Sequence, residues 1–287
     1  MDIKKFVFDG EKRFKVADFD TRYTGKLTKE KAVQKLAKNQ EKIEAYQGAL
    51  YAEDEESVLV ILQAMDAGGK DGIVKHVFSG VNPAGVRVCS FKQPSSEELD
   101  HDYLWRTHHK LPRRGEIGIF NRSYYEEVLV SRVNNLPAQQ NLPKRVLGKN
   151  LWKNRYRQIN DYERYLYENG WTIVKIFLDI SKDEQQQRFL ERADIPEKNW
   201  KVSTSDYQTR MQWDAYMKAF EECVNATGTD IAPWHVIPAD HKWYARLAVS
   251  EILVDTLKQI NPKYPTLDKE KLEDLAKYKE LLLNEKK

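Results

Sequence analysis

Cysteine and long apolar runs are both scarce in this sequence. Only Cys89 and Cys223 occur among 287 residues, without C-x-x-C spacing or a matched histidine cluster, so neither a disulfide framework nor a zinc site is indicated. The longest aliphatic run, residues 58–62, is far shorter than the ~20 residues of a membrane-spanning helix. Residues 1–14 carry charges throughout and contain no apolar signal core. We therefore expect a cytoplasmic protein with no membrane partner.

A large excess of one charge is also absent. The chain has 47 Lys and Arg against 44 Asp and Glu, which gives a net charge of +3. This balance argues against a general nucleic-acid coat, so we expect no nucleic-acid partner, and any basic patch must be local. A chain of 287 residues is long enough for one sizeable α/β domain with an embedded lid.

The most informative stretch is residues 57–72, which read SVLVILQAMDAGGKDG. An apolar run predicts a buried strand, two glycines and Lys70 follow it, and residues 73–78 place apolar side chains at helical spacing. This order is typical of a phosphate-binding loop, where loop amides, a helix N-terminus and a lysine meet an anion. The alternative, a Gly-rich turn after a buried strand, does not explain why these features occur together.

The loop departs from the common pattern G-x-x-x-x-G-K-S/T at two positions. Ala64 stands in place of the first glycine, and Asp71 stands in place of the hydroxyl residue. A carboxylate at Asp71 can hold Mg²⁺ directly or through water, and Asp66 follows the strand where it would face phosphates. We therefore expect a metal at Asp66 and Asp71, and phosphate contacts from Ala67, Gly68, Gly69, Lys70, Asp71 and Gly72.

Strand-like and helical patterns alternate along the rest of the chain. Further strands are predicted at residues 86–91, 115–120, 171–178 and 234–238, and the longer helices at about 28–51, 144–168, 206–226 and 242–260. This alternation predicts an α/β fold with a parallel five-stranded sheet and helices on both faces. We expect an extended N-terminal arm at residues 1–27, one phosphate-loop domain at 28–265 with a lid at about 188–215, and a C-terminal helix at 266–287.

Ligands of a parallel sheet collect at the C-terminal ends of its strands. The predicted strand at 115–120 ends there with Asn121, which can accept from a metal-bound water, and with Arg122, which can clamp a phosphate. Arg188 and Arg192, one helical turn apart after the next strand, are placed to close over a transferred group. The alternatives are a surface arginine after a turn and ordinary surface salt bridges for the second pair.

A run of basic residues marks the helix predicted from residue 144. Positions 145, 149, 153 and 157 would share one side of it, and no acidic residue occurs between positions 144 and 160. We expect this side and three further basic residues to contact a linear polyanion, the alternative being a solvated helix face. The seven residues are Lys75, Arg113, Arg132, Arg145, Lys149, Lys153 and Arg157.

Four motifs together resemble the second polyphosphate kinase family. They are AMDAGGKDG, FNRSYYEEVL, PEKNWK and IPADHKWYARL, in the family's order, and the similarity runs from about Lys26 to Ile260. The Glu pair in NRSYYEE is most similar to the class III branch, whose members act on nucleoside mono- and diphosphates. The resemblance implies a thymidylate-kinase-like phosphate-loop kinase with a helical lid. It also implies reversible phosphoryl transfer between inorganic polyphosphate and AMP/ADP or GMP/GDP, with Mg²⁺, or Mn²⁺ in its place.

The resemblance further implies roles for individual residues. Asp66 would organise the acceptor phosphate and the metal and act as the base, while Lys70 and Arg122 would neutralise charge around the transferred phosphoryl. Glu126 would be the acid near the acceptor that is typical of the branch. The lid arginines would be Arg188 and Arg192. The assembly that we expect is a homodimer or homotetramer.

Two other functions stay open on the sequence. One is an ATP-dependent nucleoside monophosphate kinase whose basic helix is merely solvated. The other is a nucleic-acid-binding or nucleotide-sensing regulatory module, which the modest net charge and the lack of a stacking motif disfavour. Accordingly, we expect Trp200, Trp213 and Trp234 to be packing residues.

The basic helix gives a first test. If it carries the polyanion, neutralising Lys149 and Lys153 together should weaken binding of long polyphosphate more than binding of ADP. Equal weakening of both ligands, measured by titration calorimetry, would reject this helix as the binding surface.

Overall fold

The computed structural model describes residues 1–140 and 142–285. Its strands are β1 (Val7–Phe8), β2 (Ser57–Ala64), β3 (Val86–Ser90), β4 (Ile117–Asn121), β5 (Trp171–Asp179) and β6 (Trp234–Pro238). They form one sheet in the order β1-β6-β5-β2-β4-β3, and every neighbouring pair is parallel except β1 with β6. The predicted α/β class with a parallel sheet is therefore confirmed.

The predicted number of five strands is wrong by one. The additional strand, β1, lies in the N-terminal segment where we expected an extended arm, and Phe8 pairs with Trp234 in antiparallel register. A strand of two residues is too short to show an alternating pattern. Phe6, Phe8 and Phe14 are buried in the core, so the N-terminal segment packs onto the domain.

Helices cover both faces of this sheet. They are α1 (Lys29–Glu53), α2 (Lys70–Val77), α3 (Ser96–Asp100), α4 (Trp105–His108), α5 (Val130–Val133), α6 (Leu151–Glu168), α7 (Lys182–Asp194), α8 (Thr204–Met211), α9 (Trp213–Thr227), α10 (Lys242–Ile260) and α11 (Lys269–Asn284). The predicted limits of α10 agree with the structure, whereas the helix predicted at 206–226 is divided into α8 and α9. Residues 286 and 287 of the predicted C-terminal helix lie outside the described residues. Within the described ranges, no helix is both long and apolar enough to cross a membrane.

The predicted start of the long basic helix is wrong. α6 begins at Leu151 rather than near residue 144, and residues 142–150 are non-helical, with turns and bends at 144–150. Pro143 and Gly148 fall within this stretch, and both residue types disfavour a continuous helix. Arg145 and Lys149 therefore do not share a helix face with Lys153 and Arg157.

The centre of the sheet determines where the strand ends lie. β2 is flanked by β4 and β5, and Leu62 pairs with both Asn121 and Ile176. Residues 58–62 are fully buried, because helices cover the sheet on both sides. The loop after β2 and the turn after β4 consequently emerge side by side at one edge.

A buried ion pair supports the turn after β4, a 3₁₀ helix at Tyr124–Glu127. Lys175 in β5 donates to Glu163 at 2.6 Å, to the Tyr125 hydroxyl at 3.0 Å and to the Thr227 carbonyl at 2.6 Å. Burial, only partly offset by Glu163, lowers the pKa of Lys175. All three ammonium hydrogens have acceptors, which is the condition under which a buried charge is tolerated.

Asp179, the last residue of β5, is buried beside Asp240. Its Oδ2 has no hydrogen-bond partner among the residues described. Burial, followed by the negative charge of Asp240, raises the pKa of Asp179 to about 8. The folded protein therefore binds a proton here that the unfolded chain releases at lower pH.

This carboxyl predicts a pH-dependent stability. An unfolded Asp titrates near pH 4, so the contribution of Asp179 to the free energy of unfolding should fall by about 1.4 kcal/mol per pH unit between about pH 4 and pH 8. Asn keeps the shape and cannot ionise, so the stability advantage of Asp179→Asn over wild type should grow by about 3.6 kcal/mol from pH 5 to pH 8. Urea titrations at the two pH values measure this difference. Parallel stability curves for the two proteins would contradict it.

Candidate active site

The loop of residues 65–69 turns sharply between β2 and α2. At Gly68 a Cβ would lie 2.4 Å from the Ala64 Cβ and 2.8 Å from the Met65 carbonyl oxygen, so no side chain fits. Gly69 has a φ of +103°, which L side chains rarely adopt. Ala67 has a φ of 60°, which costs about 1 kcal/mol, and its carbonyl accepts from Arg188 at 2.9 Å. The surrounding contacts thus hold the loop in a strained shape that leads into the N-terminus of α2.

Lys70 begins α2 and lies against the loop. Its Nζ donates to the Ala64 carbonyl at 2.9 Å and to the Met65 carbonyl at 3.4 Å. Desolvation, then the positive charge of Arg122, lowers the pKa of Lys70 to about 8. A phosphate oxygen would be a stronger, charge-assisted acceptor than either carbonyl.

Arg122 bridges two acids across the edge of the sheet. It follows β4 with a φ of 66° and donates to Asp66 Oδ1 at 2.6 Å and to Glu126 Oε2 at 3.0 Å. Gln63 Nε2 donates to the other oxygen of Glu126 at 2.8 Å. Arg122 therefore joins the loop after β2 to the turn after β4.

Asp71 receives hydrogen bonds from two separate parts of the chain. Asn121 Nδ2 donates to Oδ1 at 2.9 Å, and Lys201 Nζ donates to Oδ2 at 3.0 Å. Partial burial acts to raise the pKa of Asp71, but the hydrogen bonds from Lys201 and Asn121 outweigh it and lower the pKa. Lys201 ends the 3₁₀ helix Pro196–Lys201, so that segment reaches across the loop.

A cavity of about 750 Å³ opens above the loop, and we call it the basic cavity. Its lining includes nine basic and three acidic side chains, so it is suited to an anion. The basic residues are Lys70, Lys92, Arg122, Arg188, Arg192, Lys198, Lys201, Lys242 and Arg246. The acidic residues are Asp66, Asp71 and Glu191.

A second cavity of about 510 Å³ lies on the other side of Asp66, and we call it the polar cavity. Asp66 and Arg122 line both cavities and form their common wall. Three acids, Asp66, Glu126 and Asp206, line the polar cavity together with only one arginine. Its remaining lining mixes amides and hydroxyls with apolar side chains, as in sites for small organic ligands.

The structure brings together the residues predicted to bind phosphate and nucleotide. The polar cavity is lined by Glu126, and the basic cavity by Asp66, Ala67, Gly68, Gly69, Lys70, Asp71, Gly72, Asn121, Arg122, Arg188 and Arg192. The salt-bridge alternative for the arginine pair also holds in part, because Arg188 donates to Glu184 at 2.7 Å and Arg192 to Asp206 at 3.4 Å. Arg188 is only 5% exposed and donates to the Ala67 carbonyl at 2.9 Å, so it also braces the loop.

The seven residues predicted to contact a polyanion line neither cavity. Arg132 pairs with Glu222, and Arg157 pairs with Asp161 at 2.6 Å. The remaining five are exposed: Lys75, Arg113, Arg145, Lys149 and Lys153. Spacing along a helix shows which residues share a side, but it does not show where that side points.

Five of the nine basic residues in the basic cavity were not predicted from the sequence. Lys198 and Lys201 lie in the motif PEKNWK, and Lys242 and Arg246 lie in IPADHKWYARL. Both motifs were recognised in the sequence, but no role was predicted for these four residues. Trp200, expected to pack, is instead 79% exposed and lines this cavity, whereas Trp213 and Trp234 are buried as expected. Lys92 follows β3, where nothing in the local sequence marks it.

Comparison with known proteins identifies the family. The family model for polyphosphate kinase 2 matches residues 26–265. The chain belongs to the polyphosphate kinase 2 family. Sequence motifs had predicted this family, and the prediction of a kinase that acts as a phosphotransferase is confirmed at that level.

Relatives of this polyphosphate kinase 2 family member cover nearly the whole chain. It is 49% identical over 265 residues to the AMP/ADP-polyphosphate phosphotransferase of Meiothermus ruber, which covers 92% of this chain and 96% of that protein. It is 48% identical over 245 residues to the ADP-polyphosphate phosphotransferase of Rhodopseudomonas palustris, covering 85% of each. The crystal structure of polyphosphate kinase 2 from Arthrobacter aurescens TC1 superposes with a TM-score of 0.87 and 39% identity, over 97% of this chain and 95% of that one. The predicted phosphate-loop kinase fold is thereby confirmed.

The tight space at Gly68 gives a test of the loop. Gly68→Ala should lower kcat/KM of this polyphosphate kinase family member about 100-fold, because the new methyl group displaces the loop, and a shift of about 1 Å costs that much. The matched control is Gly148→Ala, since a Cβ there meets nothing within 4 Å. Steady-state kinetics and thermal unfolding of both variants measure the effects. Full activity in Gly68→Ala would show that the loop shape is not required.

Proposed function

We propose that the protein transfers phosphoryl groups reversibly between inorganic polyphosphate and a nucleotide, AMP or ADP, or the guanine equivalents. The observation that carries this proposal is the pair of cavities that share Asp66 and Arg122. Their opposite charge balance suits two different substrates, a linear polyanion on one side and a nucleoside on the other. The phosphoryl group would cross at the shared wall, where positioning and charge neutralisation supply the catalysis.

The polar cavity supports the nucleoside half of the proposal. Leu129, Val130 and Phe220 supply apolar walls, and Asn134 supplies an amide. The amide is held in place because Nδ2 donates to the Val130 carbonyl at 3.0 Å and to the Tyr216 hydroxyl at 3.1 Å. A few fixed polar groups within apolar walls are typical of sites that orient a small organic ligand.

The shared wall supports the transfer step. Lys70 and Arg122 would neutralise charge on the transferred phosphoryl, since both line the basic cavity beside the loop. Asp66 would organise the acceptor phosphate and take its proton when the acceptor oxygen is protonated. Arg122 already holds Asp66 at 2.6 Å, which orients the carboxylate before substrate arrives.

Asp66 and Asp71 fit a magnesium ion. Asp66 lies in the loop and Asp71 in the first turn of α2, and both line the basic cavity. Residues 1–140 and 142–285 contain no cluster of three or more metal-ligating side chains. Mg²⁺ is commonly held by one or two carboxylates together with substrate phosphates and waters, so these two residues suffice. Bound there, the ion would neutralise phosphate charge, and Mn²⁺ prefers the same oxygen ligands.

We assign the protein to the class III branch, which uses both AMP and ADP. Glu126 supports this because it lines the polar cavity and is fixed by Arg122 and Gln63. A carboxylate at this position can hold water or a cation in the space that the shorter AMP leaves open. The Meiothermus ruber relative, named as an AMP/ADP enzyme, is consistent with this assignment.

Residues 188–215 are proposed as the lid of the domain at residues 28–265. The 3₁₀ helix Pro196–Lys201 borders the basic cavity, and α8 borders the polar cavity. One segment thus faces both substrates, and closing it would exclude water from the transfer step. Arg188 anchors the start of this segment to the loop, since it donates to the Ala67 carbonyl at 2.9 Å, and Lys201 contacts Asp71 at 3.0 Å.

Location and assembly complete the proposal. Both cysteines are free, as is usual for a reducing cytoplasm. α11 leaves Leu272, Leu275 and Leu282 exposed, which favours a homodimer or homotetramer over a monomer. Light scattering of the purified chain measures the assembly directly.

The donor is tested with ADP, Mg²⁺ and polyphosphate as the only reactants. We expect ATP to form, and Lys70→Ala to lower kcat/KM by about 10³ because a cation at the transferred group is lost. Lys35→Ala, an exposed change on α1, is the control. The wild type could instead form no ATP from ADP and polyphosphate, yet form ADP from a mixture of AMP and ATP. That result would favour an ordinary nucleoside monophosphate kinase.

The acceptor range is tested with AMP and polyphosphate. We expect ADP to appear first and ATP afterwards in a time course followed by chromatography, because one site accepts both nucleotides. A reaction that stops at ADP would contradict the class III assignment without affecting the donor.

A further inference from the structure

We propose that the outer edge of the sheet carries a distal binding site for the polyphosphate chain, which continues the basic cavity across β3. The inference rests on the proposed function. A groove of about 530 Å³ lies along β3, and we call it the edge groove. Ser90, Phe91 and Lys92 line both the edge groove and the basic cavity, so the two spaces meet.

The charge of the edge groove suits a polyanion. Its lining includes four basic residues, Arg87, Lys92, Arg106 and Lys110, and a single acid, Glu98. Glu98 is already neutralised, because it accepts from Arg106 at 3.2 Å and from the Ser95 amide at 2.9 Å. In the part of the chain that the structure describes, Arg87, Lys92 and Lys110 form no salt bridge, so their charges are available to a ligand.

The floor of the edge groove is a fixed surface. Phe91 is buried and packs edge-on against Phe120, with ring centroids 4.8 Å apart. The Arg106 guanidinium covers Phe91 at 5.3 Å and donates to the Lys92 carbonyl at 2.9 Å. Arg106 thus holds the turn that presents Lys92, and a ligand would meet side chains on a backbone that is already ordered.

The geometry makes the edge groove selective for long chains. β3 is the terminal strand of the sheet, and Arg87 precedes its last residue, Ser90, by three positions, or about 10 Å at 3.3 Å per residue. Lys92 follows two residues after the end of the strand. Lys110 lies beside the same strand, since its carbonyl is 4.0 Å from the Cys89 sulfur. A chain that ends at Lys70 must therefore extend by several phosphate units before it reaches Arg87 or Lys110.

Charged residues on an edge strand can have another purpose, because they prevent pairing with the edge of another sheet. That purpose requires neither a concave groove nor a connection to the basic cavity. Both are present here, which favours a binding site. The residues of α6 that the sequence suggested for this role line none of the three cavities.

The experiment compares long-chain polyphosphate with tripolyphosphate in the full-length protein. The test variant is Arg87→Gln/Lys110→Gln, and the control, Lys35→Gln/Lys38→Gln, removes the same charge from the exposed side of α1. We expect the test variant to raise KM for long polyphosphate about tenfold, since two ion contacts are lost. KM for ADP and the affinity for tripolyphosphate should change less than twofold.

Calorimetric titration of both phosphate chains, without nucleotide, gives a readout that does not depend on turnover. The same tenfold loss should appear for the long chain alone. Arg87→Lys/Lys110→Arg keeps the charges and should bind the long chain like wild type, which separates charge from folding.

Three results would overturn the distal site. One is a KM for long polyphosphate within twofold of the control variant. Another is an equal loss of affinity for tripolyphosphate. The third is a selective loss for long chains in Lys149→Gln/Lys153→Gln, which would place the chain along the turn before α6 and the start of α6 instead. If the wild type forms no ATP from polyphosphate, the proposed function itself fails, whereas a wild type that forms ATP but shows any of these three results rejects only the distal site.

Discussion

The ion pairs of Arg122 are the constraint on which the site depends. Its guanidinium contacts Asp66 at 2.6 Å and Glu126 at 3.0 Å, and so joins segments that follow two different strands. A φ of 66° disfavours Arg122 by about 1–2 kcal/mol, so the contacts and the parallel register must hold it there. Because the guanidinium is partly exposed, its ion pairs add little to the free energy of unfolding. Their main effect is to form one wall between the two cavities.

The contacts on the two sides of Arg122 differ in how far they are buried. Behind it, Lys175 and Glu163 form a fully buried network that reaches the turn after β4 through Tyr125. In front of it, Lys201 reaches Asp71 through a single contact that solvent can enter. Phosphoryl transfer needs both kinds of contact. The buried network keeps the reacting groups in position, and the weakly held segment that carries Lys201 can move while substrates enter and leave.

The side chains around Asp71 explain why this loop can differ from the common phosphate-loop pattern. Asp71 takes the position of a hydroxyl residue, and Asn121 stands beside it and donates to it. The acidic groups available to a metal therefore come from the loop and from the first turn of α2. The surrounding basic cavity, with nine basic side chains, offsets this acidity and leaves the space attractive to an anion.

The sequence by itself determined the loop, the strand ends and the α/β class, because these depend on local spacing and on the edge that parallel strands share. It did not determine β1, which is too short for a pattern, or the start of α6. Only the tertiary structure decided which cations surround the substrates. Lys92, Lys201 and Arg246 come from distant segments of the chain, and periodicity carries no information on how such segments pack together. For the same reason, the sequence could not show that the side of α6 predicted to bind a polyanion lines none of the three cavities, and the edge groove could be found only once β3 had been placed beside β4.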